Sequence, residues 1–248
     1  MRSSSVVLGV SASLLRSVTA HGFVSGVRVN NGSWYNGWNP SWVRFPEADQ
    51  PERVGWTAAN QDIGYIEPAN YGTSNISCHK NAKVAEHFVE ANAGDELMFI
   101  WSETWPPTHK GPIMNYIAPF DTDPASLSFS KFSQSSIVNA SGLVTWVTDE
   151  LIANNYSTSV TIPKNLKAGD YVIRHELIAL HYAAQDNGAQ NYPQCINLRL
   201  GGSGTVAPSE GTLGSELYHR DDAGILFDLS KHEVTYPYPG PELWTAAN

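Results

Sequence analysis

The chain has 248 residues, with 15 Lys and Arg against 24 Asp and Glu and a formal net charge of −9. That length accommodates one domain with a sizeable core. The acidic balance argues against a nucleic-acid backbone as partner and suits a neutral one such as a glycan.

The first twenty residues read as a secretory leader. Arg2 supplies a positive start, Val6 to Leu15 a short apolar and small-residue run, and Val18-Thr19-Ala20 the small residues a signal peptidase reads. Cleavage is expected after Ala20, leaving one domain over residues 21–248. The apolar run is too short and Ser-rich to span a bilayer, and no other stretch could, so a soluble extracellular product without a membrane partner is expected. The leader carries Arg2 and Arg16 and no acid, so its removal makes the chain still more acidic.

Further along, secretion gives two other features a meaning. Cys78 and Cys195 are the only cysteines, and in an oxidising compartment the expectation is one disulfide closing a long loop. Asn31-Gly-Ser33, Asn75-Ile-Ser77, Asn139-Ala-Ser141 and Asn155-Tyr-Ser157 are acceptor tripeptides for N-glycans.

Strand-like segments are short and bounded by Gly, Pro, Asn and Asp. They are predicted at 23–29, 96–101, 112–118, 159–162, 171–180 and 196–200. Ala93-Gly94-Asp95 and Ala168-Gly169-Asp170 read as turns feeding strands. With no internal repeat, heptad or linker, the pattern predicts an all-β fold: an antiparallel β-sandwich with long loops and short helices. The longest loop, residues 30–76, carries Trp34, Tyr35, Trp38, Trp42, Trp56, Tyr65 and Tyr71. A loop of that length is usually functional. Its aromatics either pack beneath it or present flat faces to a sugar polymer, and packing is the expectation for any single one.

Cleavage after Ala20 would expose His21 as the first residue. An N-terminal histidine offers two nitrogens, its α-amine and ring Nδ1, which can chelate one metal ion. A second imidazole completes an open, T-shaped set of three nitrogens that favours Cu(II). Both kinds of donor must be deprotonated, so such binding weakens in acid.

Three segments give this idea a specific setting: Thr108-His109-Lys110-Gly111-Pro112; Arg174-His175-Glu176-Leu177-Ile178-Ala179-Leu180-His181; and Gln190-Asn191-Tyr192-Pro193-Gln194-Cys195. Together with His21-Gly22-Phe23-Val24, and with Gly211-Thr212-Leu213-Gly214 and Pro239-Gly240-Pro241 near the end, they resemble the motifs of fungal lytic polysaccharide monooxygenases of auxiliary-activity family nine. The resemblance runs from His21 to about Trp244, in the family's order.

The resemblance implies an immunoglobulin/fibronectin-III-like sandwich and one copper ion cycling between Cu(II) and Cu(I). It assigns His21 and His109 as ligands, Tyr192 as an axial oxygen, and His181 and Gln190 as hydrogen-bonding partners of the reacting oxygen species. It pairs Cys78 with Cys195, places Tyr236 and, more weakly, Tyr238 on a sugar-stacking surface, and leaves His175-Glu176 structural. His79, His87, His219 and His232 receive no metal role. The implied reaction is oxidative cleavage of a β-1,4-glucan, cellulose foremost, at C1 and/or C4. It uses peroxide or dioxygen and an external electron donor, and the protein works as a monomer on an insoluble polysaccharide. Two features depart from the family pattern: no second disulfide follows the His-x-Gly-Pro strand, where Phe120 stands, and Asp221-Asp222-Ala223-Gly224 lacks a proline before its glycine. Competing readings are a copper-binding protein without polysaccharide oxidation and a non-catalytic glycan-binding sandwich. The first does not need Gln190 and Tyr192; the second does not need a histidine at the mature start.

Overall fold

The computed structural model describes residues 21–208 and 211–248; the expected leader lies outside them. Two sheets carry the fold. The smaller has four strands in the order β2 (Trp34–Asn36), β1 (Val24–Val29), β4 (Glu96–Trp101) and β9 (Ser157–Thr161). The larger has six, in the order β12 (Thr212–Leu213), β6 (Ser128–Ser135), β5 (Ile113–Pro119), β10 (Gly169–Ala179), β11 (Gln190–Gly201) and β3 (Val89–Asn92). A small ribbon pairs β7 (Ile137–Asn139) with β8 (Thr145–Trp146). Two short helices, α1 (Asn75–Cys78) and α2 (Val147–Ala153), complete the regular structure. No helix among the described residues is long and apolar enough to cross a membrane.

The predicted sandwich is present, and its strands show why some were legible. In β4 the alternation is clean: Leu97, Phe99 and Trp101 are buried, and Glu96, Met98 and Ile100 less so, as a strand with one covered face requires. The Asn92–Asp95 turn before it has Gly94 at φ +90°, a backbone conformation that suits glycine. Strands β10 and β11 are instead buried almost throughout, because the large sheet is covered on both faces. One core lies between the sheets and includes Phe99, Trp101, Ile117, Ile173, Leu177, Tyr192 and Leu198. A second lies between the outer face and the long loops, with Trp56, Tyr71, Met114, Tyr116, Ile178 and Tyr218. Most aromatics of the 30–76 loop thus pack inward: Trp38, Trp56 and Tyr71 are buried, while Trp34 is exposed.

One pairing departs from the antiparallel expectation. β3 runs parallel to β11, from Val89↔Leu198 to Asn92↔Gly201, at the edge of the large sheet, and the turn after it carries the chain across to β4 of the smaller sheet. The Cys78–Cys195 disulfide is formed, with the Cα atoms 5.1 Å apart. It ties the end of α1 to the middle of β11.

Candidate metal centre

The start of β1 and three connections meet at one end of the sandwich. Thr104 Oγ1 donates to the His21 carbonyl at 2.6 Å, and the Phe23 N–H donates to Ser102 Oγ at 3.2 Å, which fixes His21 beside the segment after β4. His109 is set by the connection into β5. There the Leu180 N–H donates to Lys110 O at 2.9 Å and the Gly111 N–H to Thr148 Oγ1 at 3.2 Å. Gly111 passes so close to β10 that a Cβ would stand 1.8 Å from Ile178 O. Only glycine permits that approach, and the approach brings His109 to His181 at the end of β10.

The rings form a continuous cluster. His21 lies 5.4 Å from His109 and 5.7 Å from Tyr192, centroid to centroid. His109 stacks on His181 at 3.9 Å. The Tyr192 hydroxyl donates to Gln190 Oε1 at 2.9 Å. All five residues assigned to the metal and its reacting oxygen are therefore neighbours, drawn from positions as far apart as 21 and 192.

His109 is only 5% exposed, yet its Nε2 is a buried nitrogen without a hydrogen-bond partner; His181 Nδ1 is another. Buried polar atoms are rarely left so. Burial, followed by the fields of His181 and His21, pushes the His109 imidazole down to about 3. Burial also lowers His21 and His181. All three rings are neutral at pH 7, with lone pairs available to a metal. Burial raises the Tyr192 phenol, so it stays protonated. Among the described residues no group of three or more His, Cys, Asp or Glu side chains could hold a metal ion. The neighbouring His21 and His109 rings are imidazole nitrogen donors, a kind that suits copper.

Three neighbours of the site were not assigned to it from sequence, although Tyr65 was noted among the loop aromatics. Trp105 is buried beneath the site, 4.9 Å from the Tyr192 ring and 5.6 Å from His109, and its indole N–H donates to the His109 carbonyl at 3.2 Å. Its place four residues before His109 was the available signal. Tyr65 packs 5.7 Å from His21 and 5.9 Å from Tyr192. Tyr182, 57% exposed, lies 4.4 Å from His181.

The sugar-stacking surface needs correction. Tyr236 is only 7% exposed. Its hydroxyl donates to Gly224 O at 2.5 Å, and Trp146, Phe227 and Tyr238 enclose its ring. A ring walled in on its faces cannot stack on sugar. Tyr238 is half-buried, accepts a hydrogen bond from Ser136 Oγ at 2.7 Å, and lines a groove of about 390 Å³ with Leu217, His219 and Gly224. None of the clustered imidazoles lines that groove. His175 is structural as expected: buried, it donates from Nδ1 to Asn115 Oδ1 at 2.7 Å and accepts at Nε2 from the Trp101 indole at 3.0 Å.

A β-sandwich that gathers two imidazoles, each with one buried nitrogen lacking a hydrogen-bond partner, beside an early-chain histidine has the makings of a metal-dependent enzyme. The family follows from comparison: residues 21–238 match the profile of Auxiliary Activity family 9 (formerly GH61), and the chain belongs to that family of lytic polysaccharide monooxygenases, which are oxidoreductases and generally copper-dependent. It is 44% identical to AA9 family lytic polysaccharide monooxygenase F of Emericella nidulans, over 92% of each chain. Among solved structures it resembles Cel61B of Hypocrea jecorina, with TM-score 0.85 and 36% identity over 90% of this chain and 100% of that one. It also resembles the extended catalytic domain of LPMO9A from the same fungus, with TM-score 0.84 and 40% identity over 92% of each.

Proposed function

We propose that this monooxygenase is secreted through a leader of residues 1–20, and that the cut after Ala20 exposes the amine of His21. The mature domain, residues 21–248, would then hold one copper ion through that amine, the His21 ring and His109, with the Tyr192 hydroxyl as a nearby oxygen. Its substrate is an insoluble β-1,4-glucan, cellulose foremost, attacked at C1 and/or C4 with peroxide or dioxygen and electrons from an external donor. The observation that carries the reading is the buried, partnerless Nε2 of His109 beside the His21 ring.

When bound, copper supplies the one-electron chemistry that activates the oxidant. The protein's part is positional. Neutral His21 and His109 offer lone pairs without first losing a proton. Tyr192 donates to the Gln190 carbonyl oxygen, which leaves the Gln190 amide N–H groups to donate toward a reacting oxygen. His181, stacked on His109 with Nδ1 unpartnered, is placed to give or take a proton there. Trp105 closes the site from below and excludes water on that side. Tyr182 replaces Tyr236 as the sugar-facing ring. Its backbone is held by the Gln185 N–H donating to Tyr182 O at 3.0 Å, and its neighbour Ala183 is fixed by the Phe227 N–H at 3.0 Å. An exposed aromatic on a rigid turn loses little entropy when a pyranose stacks on it.

Incubation of the copper-loaded mature protein with cellulose, reductant and peroxide, followed by mass spectrometry, tests the reading. Oxidised oligosaccharides are expected, and the mass pattern assigns C1 or C4. Native oligosaccharides alone would mean hydrolysis and overturn it. A protein that only stores copper would have no use for the Gln190–Tyr192 hydrogen bond or for His181 at van der Waals distance from the ligand.

A further inference from the structure

Asn191 stands between Gln190 and Tyr192 on β11, so its side chain points to the opposite face of the sheet. There it meets a buried ion pair that the proposed chemistry does not use. Arg174 and Glu176 are both 0% exposed. Arg174 donates to the two carboxylate oxygens at 2.7 and 2.8 Å, and to the carbonyls of Ile76 at 2.8 Å and Ser77 at 2.9 Å, just before Cys78. The carboxylate also accepts from the Tyr218 hydroxyl and from Asn191 Nδ2, the latter at 2.9 Å. Asn191 Oδ1 in turn accepts from the Tyr71 hydroxyl at 2.5 Å. The Asn191 backbone exchanges both of its hydrogen bonds with Ile66, at 2.8 and 3.0 Å, and Ile66 follows Tyr65.

A buried ion pair is weak grounds for stability, because well-packed apolar side chains often replace one at no loss. What such a pair adds is direction. Here one of its directed bonds, from Asn191 Nδ2 to the Glu176 carboxylate, joins the Tyr71 hydroxyl in fixing the Asn191 side chain, while Ile66 fixes its backbone. Whatever fixes Asn191 fixes Gln190 and Tyr192, which are covalently joined to it, and Tyr65 through Ile66. We infer that Asn191 is a positioning residue: held by the Arg174–Glu176 pair, it sets Tyr192, Gln190 and Tyr65 around the His21–His109 site. The inference rests on the reading of that site given above.

Two variants test it in the mature protein. Asn191→Leu keeps the branched shape and the number of heavy atoms and removes both side-chain bonds; Tyr71→Phe removes one hydroxyl and serves if the first fails to fold. In the metal-free protein, NMR should show shifted Tyr192 ring and Gln190 side-chain amide resonances. In the copper-loaded protein the Cu(II) EPR signature should change, and kcat should fall by about 10- to 100-fold, the scale set by roughly 1 Å of misplacement. Copper affinity should hold, because its nitrogen donors are not touched. Resonances and EPR signature like those of the wild type in a folded variant, with only Tm lowered, would overturn the inference. A wild-type protein that binds no copper would instead sink the reading of the site, and the metal-free resonances would still decide the positioning claim.

Discussion

Acid should destabilise the metal-free protein well above the range where carboxylates titrate. His175 is wholly buried, hydrogen-bonded at both nitrogens and stacked on Phe99 at 4.0 Å. Burial holds its pKa down at about 3, and the buried His79 at about 4. In the unfolded chain each titrates near 6.5, so between those values the unfolded state binds more protons. The stabilising contribution is therefore complete above about 6.5 and is lost as pH falls toward the folded value. Each histidine contributes a slope approaching about 1.4 kcal/mol per pH unit, or about 2 kcal/mol between pH 6.5 and 4.5. Asp62, held below its ordinary 3.8, acts in the same direction but only at lower pH. Urea unfolding of metal-free wild type and His175→Gln between pH 7 and 4.5 measures the difference. The variant should show a slope smaller by an amount approaching about 1.4 kcal/mol per unit. Equal slopes would refute the claim that burial keeps His175 neutral.

Other predictions concern the bridge, the surface and the sugars. Replacing Cys78 and Cys195 by serine opens a loop with a sequence separation of 117, and urea unfolding should show a loss of about 5 kcal/mol on the chain-entropy scale. Tyr182→Ala should weaken cellulose binding in a pull-down by about 3- to 10-fold, a stacked ring contributing on the order of 1 kcal/mol, while copper titration stays unchanged. Asn31, Asn139 and Asn155 are exposed, whereas Asn75 opens α1 and its side chain accepts from the Asn81 N–H at 2.9 Å. Peptide mapping of secreted protein should find glycans at the first three in preference to Asn75.

The sandwich was legible where one face of a strand is covered and the residues alternate, as in β4, and where turn glycines mark the entry. It was less legible where chemistry and period disagree. β6, Ser-Phe-Ser-Lys-Phe-Ser-Gln-Ser, reads as polar yet pairs with β5 over Ile113↔Ser135 to Ile117↔Ser130. Its strand state comes from its neighbour rather than from its own composition. Nothing local marks β3 as a parallel edge strand. The gathering of His21, His109, His181, Gln190 and Tyr192 followed from motif order, since no spacing argument could join residues 21 and 192. Tyr236 failed for a physical reason: sequence gives a ring's place in the chain but not which side of the tail it faces. Trp146 and Phe227, distant in sequence, decided that it turns inward.

Copper titration of two forms of the protein bears most directly on the account, one beginning at His21 and one keeping Ala20 ahead of it. The first should take up one ion tightly, with an EPR hyperfine pattern from three nitrogens and a strong loss of affinity in His109→Ala. The form with the blocked amine should bind far more weakly. Equal, tight binding by both forms would contradict the account, because the freed backbone nitrogen of His21 would then have no part in holding the metal.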